Sequence, residues 1–265
     1  MDDDEVRKNI RKKYAQLLAV KAKNGGVLGA NLVTGGLYAV SEVKEVPPQA
    51  VAASLGCGNP TALATLYSGE TVLDLGSGAG LDVLLSARRV GPLGQVYGLD
   101  MTDEMLVEAN SNKDKAGVTN VEFLKGQMEA IPLSEAIIDV VISNCAINLA
   151  VDKDQVFREI YRVLKPGGRM AVADIVTTKF LPDDIRQSLL AWAGCLAGVL
   201  VDSEYKEKLA QAGFENIEFE ITRTYDLMNP VVQTLVQGLA NSDPINWDGS
   251  LVSIFIRARK PARSK

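Results

Sequence analysis

The chain contains no histidine. Catalytic triads with an imidazole base, HExxH zinc sites and imidazole proton shuttles are therefore excluded, and whatever chemistry occurs works without that side chain. Cysteine is scarce: Cys57, Cys145 and Cys195 form an odd set at wide, unequal spacing. Such a set suits neither a disulfide framework nor a paired-dithiol zinc site, so all three read as reduced thiols. Basic excess is also missing, with 28 Lys+Arg against 33 Asp+Glu and a formal charge of -5. Nothing supplies the phosphate neutralisation that nucleic-acid binding requires, and no nucleic-acid partner is expected. The start, Met1-Asp2-Asp3-Asp4-Glu5, is acidic where a secretory signal is basic and then apolar. The longest apolar stretch, near Leu189 to Val201, is too short to span a bilayer. The expectation is a cytoplasmic protein with no membrane partner.

What is present suffices for a sizeable core. At roughly 150 residues per domain, 265 residues make one large domain or one with appendages, and 47% of them are hydrophobic. Asp4 to Val20 predicts an amphipathic, charge-rich helix, followed by a glycine-containing segment beginning Lys23-Asn24-Gly25-Gly26 that reads as mobile. Residues 1–60 are read as an N-terminal arm carrying Cys57. Residues 61–228 are read as the main domain with an insertion bearing Cys195, and 229–265 as a C-terminal extension with the last strand.

From Thr71 onward, short apolar runs of strand length alternate with helical stretches, the pattern of repeated βα units and a mostly parallel sheet. Strands are predicted at Thr71–Leu75, Gln95–Leu99, Val121–Leu124, Asp139–Ser143, Arg169–Ala173, Ile217–Thr224 and Leu251–Arg257. Helices are predicted at Leu81–Arg89, Asp103–Ala116, Lys153–Leu164, Pro182 to about Cys195, and Ser203–Ala212. Lys165-Pro166-Gly167-Gly168 reads as a turn that ends a helix and launches a strand. Asn229 to Gly249 reads as a long insertion joining two antiparallel neighbours. The fold class is α/β, a seven-stranded, Rossmann-like sheet.

Val72 to Leu75 is an apolar strand that runs directly into Gly76-Ser77-Gly78-Ala79-Gly80 and then a helix. Glycines there permit the reversal, let the backbone approach a ligand and let strand and helix pack closely, with helix amides facing the ligand. The spacing is GxGxG, and Asp74 stands at the strand end. A carboxylate beside the loop repels a dinucleotide pyrophosphate but suits the charged amino group of a methionine tail, which points to S-adenosylmethionine and a class I methyltransferase. Asp100, closing the second strand, is placed to take both ribose hydroxyls, and Met101 to lie against adenine. Gly126-Gln127-Met128-Glu129, after the third strand, flanks the base, and Asn144 ends the fourth strand beside the sulfonium. The competing assignment is an ordinary βα turn with Asp100 or Thr102 as a helix cap and Met101 in the core; the coincidence of Asp74, Asp100 and the βα pattern at one sheet edge argues against it.

Cys145 follows Asn144 at that edge. Cys57 lies in Leu55-Gly56-Cys57-Gly58-Asn59-Pro60, and Cys195 in Trp192-Ala193-Gly194-Cys195-Leu196-Ala197-Gly198; both segments are able to fold over the same edge. Three converging soft thiolates favour a thiophilic, pyramidal centre such as trivalent arsenic. With a free thiol pKa near 8.5, about 3% of each is ionised at pH 7, so ligand binding displaces protons and strengthens as pH rises. Spacing cannot establish convergence, and burial as small hydrophobes is the alternative for each cysteine.

Through Leu55 to Leu63, Val72 to Gly80, Ser143-Asn144-Cys145-Ala146-Ile147-Asn148-Leu149 and the segment around Cys195, the sequence resembles the arsenite S-adenosylmethionine methyltransferases. The similarity runs from about Leu55 to Phe214. It implies that Cys57, Cys145 and Cys195 bind As(III) and that a thiol reductant such as glutathione or thioredoxin restores the site. Thiolate-bound arsenic already exposes a lone pair, so no general base is needed. Many relatives carry a further cysteine near the N-terminus that exchanges disulfides with the counterpart of Cys57; this chain has none. Two other activities remain to be separated: methylation of a small organic acceptor such as a quinone, and metalloid binding without catalysis. The absence of an Asn-Pro-Pro-aromatic tetrapeptide after the fourth strand argues against amino-group methylation.

Overall fold

Strands with near-continuous apolar sequence belong in the middle of a sheet covered on both faces, and the computed structural model places Val72, Leu73 and Leu75 of β1 and Val140, Val141 and Ile142 of β4 there, fully buried. The structure describes residues 2–23, 37–179, 198–225 and 251–262. Its sheet has seven strands in the order β3-β2-β1-β4-β5-β7-β6: β1 (Thr71–Leu75), β2 (Gln95–Asp100), β3 (Val121–Lys125), β4 (Ile138–Asn144), β5 (Leu164–Thr177), β6 (Glu215–Thr224) and β7 (Leu251–Arg259). The first five pair in parallel, and β7 inserts antiparallel between β5 and β6. All seven strands read from the sequence are present, most of them a residue or more longer. The direction of strand order reverses between β1 and β4, which opens a crevice at their carboxyl ends.

Among the described residues the helices are α1 (Asp3–Lys23), α2 (Val40–Val43), α3 (Pro48–Ala53), α4 (Pro60–Leu63), α5 (Leu81–Val90), α6 (Asp103–Ala116), α7 (Lys153–Val163) and α8 (Asp202–Gln211), with one 3₁₀ turn at Ile147–Leu149. Alternation along β1 and β4 feeds two cores: Leu73, Leu75 and Val141 pack with Phe157, Ile160 and Tyr205 on one face, and Val72, Val140 and Ile142 with Val83, Val96 and Phe255 on the other. On α1, Val6 and Ile10 are buried. The short helices α2 to α4 went unread in the sequence, although Pro48 and Pro60 stand at helix starts, where proline's fixed φ and missing N–H are harmless.

The Lys165-Pro166-Gly167-Gly168 turn is corrected by the structure. The helix ends at Val163, but β5 begins at Leu164, so the four residues belong to the strand. Gly167 adopts φ +81, and its N–H donates to Lys260 O at 3.0 Å while Lys260 N–H donates to Gly168 O at 2.9 Å. Bonds to the chain end after β7 draw the segment into the sheet. The predicted helix from Pro182 to Cys195, the insertion from Asn229 to Gly249 and the segment after Lys23 lie outside the described residues. Among the described residues, no helix is long and apolar enough to cross a membrane.

Candidate active site

The glycine loop leaves β1 through three left-handed residues, Gly76 (φ +73), Gly78 (φ +50) and Gly80 (φ +88). Gly76 and Ser77 N–H groups donate to Leu99 O at 2.8 and 3.0 Å, and Gly78 N–H donates to Asp100 Oδ2 at 2.9 Å. A Cβ on Gly76 would overlap the Ala146 methyl, and one on Gly80 would lie 2.7 Å from the Phe123 ring. Close approach, as well as dihedral freedom, fixes glycine there.

A cavity opens above this loop. Asp74, Gly76, Ser77, Gly78, Asp100, Met101, Gln127, Met128, Asn144 and Cys145 all border it, while Gly80 sits behind, packed on Phe123. Two further contributions were missed in the sequence, Asp82 on the first turn of α5 and the trio Arg7, Ile10 and Tyr14 from α1, while Glu129, read together with Gln127 and Met128, also borders the cavity. Arg7 reaches Glu129 at 3.4 Å and so ties α1 across the cavity mouth. Asp82 was open to recognition, since it is the first acidic residue after the loop; no sequence signal marks the fold-back of α1.

The cavity wall is acidic. Burial, with the charges of Asp82 and Asp100 adding to it, raises the Asp74 carboxyl well above the ordinary range. Burial pushes Asp82 up to about 6 against the lowering effect of hydrogen bonds from Asn144 and Tyr38. Asp100 is raised by burial and held back by backbone N–H groups of Thr102 and Gly78. Carboxyl groups crowded at one buried wall favour a ligand carrying positive charge. Ser77 Oγ is buried without a hydrogen-bond partner among the described residues.

Asn144 directs its amide away from solvent. Its Oδ1 accepts from Cys57 N at 2.9 Å and Gly58 N at 3.1 Å, while its Nδ2 donates to Gly58 O at 2.8 Å and to Tyr38 Oη and Asp82 Oδ2, both at 3.1 Å. The Cys57 loop is thereby fastened to the end of β4. Cys145 follows in a left-handed conformation, φ +59, rare for a residue with a side chain and held by its N–H bond to Ala173 O at 2.8 Å.

Cys57 and Cys145 are joined as a disulfide, with Cα atoms 5.9 Å apart. This corrects the expectation of reduced thiols: loops distant in sequence are brought together by the Asn144 bonds, so two cysteines that spacing could not pair lie side by side. Cys195 lies outside the described residues, and among the described residues no group of three metal-ligating side chains occurs.

Residues 66–213 match the family model described as a methyltransferase domain. The arsenite methyltransferase of Halobacterium salinarum is 38% identical over an alignment covering 99% of this chain and 68% of that protein. The chain belongs to the arsenite methyltransferase family. Within that family, the enzyme of Aquipseudomonas alcaligenes is 39% identical over 65% of this chain and 51% of its own length. A crystal structure of an arsenic(III) S-adenosylmethionine methyltransferase from Chlamydomonas reinhardtii superposes with a TM-score of 0.68 at 31% identity, covering 85% of this chain and 74% of that one. The chain thus spans between about half and three quarters of the length of these relatives. The seven-stranded sheet is that of a class I methyltransferase.

Proposed function

We propose that the protein transfers the methyl group of S-adenosylmethionine to trivalent arsenic held by the thiolates of Cys57, Cys145 and Cys195. The observation that carries this reading is the position of Cys145, which borders the acidic cavity and stands beside Cys57. The relatives' names supply the acceptor, and the acidic wall suits a sulfonium and an ammonium group.

Asp100 would take the ribose hydroxyls of the cofactor, Asp74 its amino group, and Met101, Gln127 and Met128 its adenine, while the loop at Gly76, Ser77 and Gly78 would receive its methionine moiety. The cofactor supplies a methyl group on a positively charged sulfur. Thiolates hold the arsenic with its lone pair exposed, so no residue removes a proton before transfer, which accounts for a site without histidine. The protein's part is alignment, for which proximity and orientation contribute roughly 7–11 kcal/mol. The disulfide is the oxidised form: opening it takes two electrons and two protons from a thiol reductant such as glutathione or thioredoxin, leaving two thiols that lose protons on binding arsenic. A cytoplasmic setting, where thiols stay reduced, fits this requirement.

The test is product analysis with reduced protein, arsenite, S-adenosylmethionine and glutathione. Methylated arsenicals together with S-adenosylhomocysteine support the reading. Saturable arsenite binding without S-adenosylhomocysteine identifies a binding protein instead, and S-adenosylhomocysteine formed only with an added organic acceptor, undiminished in Cys145→Ser, identifies an organic acceptor.

A further inference from the structure

The Asn144 amide has two chemically distinct ends, and only one orientation satisfies its surroundings. Its Oδ1 faces two backbone donors, Cys57 N–H and Gly58 N–H, at 2.9 and 3.1 Å. Its Nδ2 faces the acceptors Gly58 O, Asp82 Oδ2 and Tyr38 Oη. Rotation by half a turn would set an NH₂ against two N–H donors and an oxygen against a carboxylate. What enforces the orientation from the far side is Tyr38. Its hydroxyl donates to the Asp82 carboxylate, 2.9 and 3.0 Å from the two oxygens, and thereby leaves its lone pairs for Asn144 Nδ2. Asp82 itself is 7% exposed, on the first turn of α5, so the anchor is part of the sheet-and-helix frame. The loop lies so flat on the amide that a Cβ on Gly56 would overlap the Asn144 side chain.

We propose that Tyr38 is a positioning residue: through Asp82 and the Asn144 amide it keeps the Cys57 loop seated against Cys145 when the disulfide is open, so that the two thiols stay presented as a pair to one trivalent ligand. Ser253 Oγ on β7 adds one longer bond to the loop, donating to Cys57 O at 3.4 Å; the nature of the ligand rests on the function proposed in the preceding section. No sequence motif marks Tyr38, which precedes Cys57 by a stretch containing two short helices.

The experiment compares the reduced wild-type chain with Tyr38→Phe and with Asn144→Asp, which sets a second carboxylate against Asp82. Amide hydrogen exchange is followed by mass spectrometry, and affinity is measured for phenylarsine oxide. Loss of a hydrogen bond to a charged group accelerates exchange at residues 56–58 about tenfold in Tyr38→Phe, with a parallel loss of phenylarsine oxide affinity. Asn144→Asp gives the same pattern more strongly. Exchange in β1 and β4 stays at the wild-type rate in Tyr38→Phe. Unchanged exchange at 56–58, or acceleration spread equally over β1 and β4, overturns the proposal. Should the wild type form no methylated arsenical while Tyr38→Phe still loosens 56–58, the functional reading falls and the seating stands; methylation with unaltered exchange in Tyr38→Phe is the reverse.

Discussion

The Gly78 N–H donates to Asp100 Oδ2 at 2.9 Å while Thr102 N–H donates to Oδ1 at 2.8 Å, so one carboxylate ties the glycine loop to the start of α6. Both oxygens already accept a backbone donor and the side chain borders the cavity. Asp100→Asn turns one acceptor into a donor facing an N–H. We expect S-adenosylmethionine affinity by calorimetry to fall at least about tenfold and unfolding free energy in urea to drop by about 1–3 kcal/mol.

Carboxyl groups held protonated by burial are drawn to ionise when a cation enters. With Asp82 at about 6 and Asp74 raised above its ordinary value, the ionised wall becomes available as pH rises. S-adenosylmethionine affinity therefore increases from pH 5 to pH 7, with proton release detectable as a dependence of the calorimetric heat on buffer. S-adenosylhomocysteine, whose sulfur is neutral, shows a shallower slope.

Much of this site was legible before the fold was known, because the glycine loop and its flanking acids are local patterns. Asp74, Gly76 and Asp100 each stand at a strand end, and strand ends follow from apolar runs. Tyr38, Arg7 and the pairing of Cys57 with Cys145 were not legible, since they depend on where segments outside the βα repeat fold back. The turn at Gly167 misled for a related reason: its local chemistry says turn, while bonds from Lys260, far along the chain, decide that it is strand.

Asp174 is fully buried on β5, and burial raises its carboxyl to about 7 against the lowering effects of Ile175 N–H, Lys153, Tyr205 and Asn148. The native state thus holds a proton between the ordinary value of 3.8 and about 7 that the unfolded chain has released. The contribution of this proton to stability is full below about pH 4 and is lost as pH rises to about 7. Asp174→Asn removes this slope, and urea unfolding at pH 8 should show a gain of at most about 4 kcal/mol over wild type, shrinking toward pH 4.

Two glycines separate dihedral strain from close approach. Gly76, at φ +73 and against Ala146, has no room for a methyl, whereas Gly117, at φ +64, has nothing within 4 Å. Gly117→Ala should cost only about 1–2 kcal/mol in thermal or urea unfolding and leave cofactor binding intact. Gly76→Ala should cost more and abolish binding of S-adenosylhomocysteine, because the loop must shift to admit the side chain.

Methyl transfer to thiolate-held arsenic is tested most directly by incubating the reduced chain with arsenite, glutathione and methyl-labelled S-adenosylmethionine and resolving the arsenicals by chromatography. The wild type should give labelled methylated arsenic and Cys145→Ser none. Absence of labelled arsenicals from the wild type, or their undiminished formation by Cys145→Ser, would contradict that transfer.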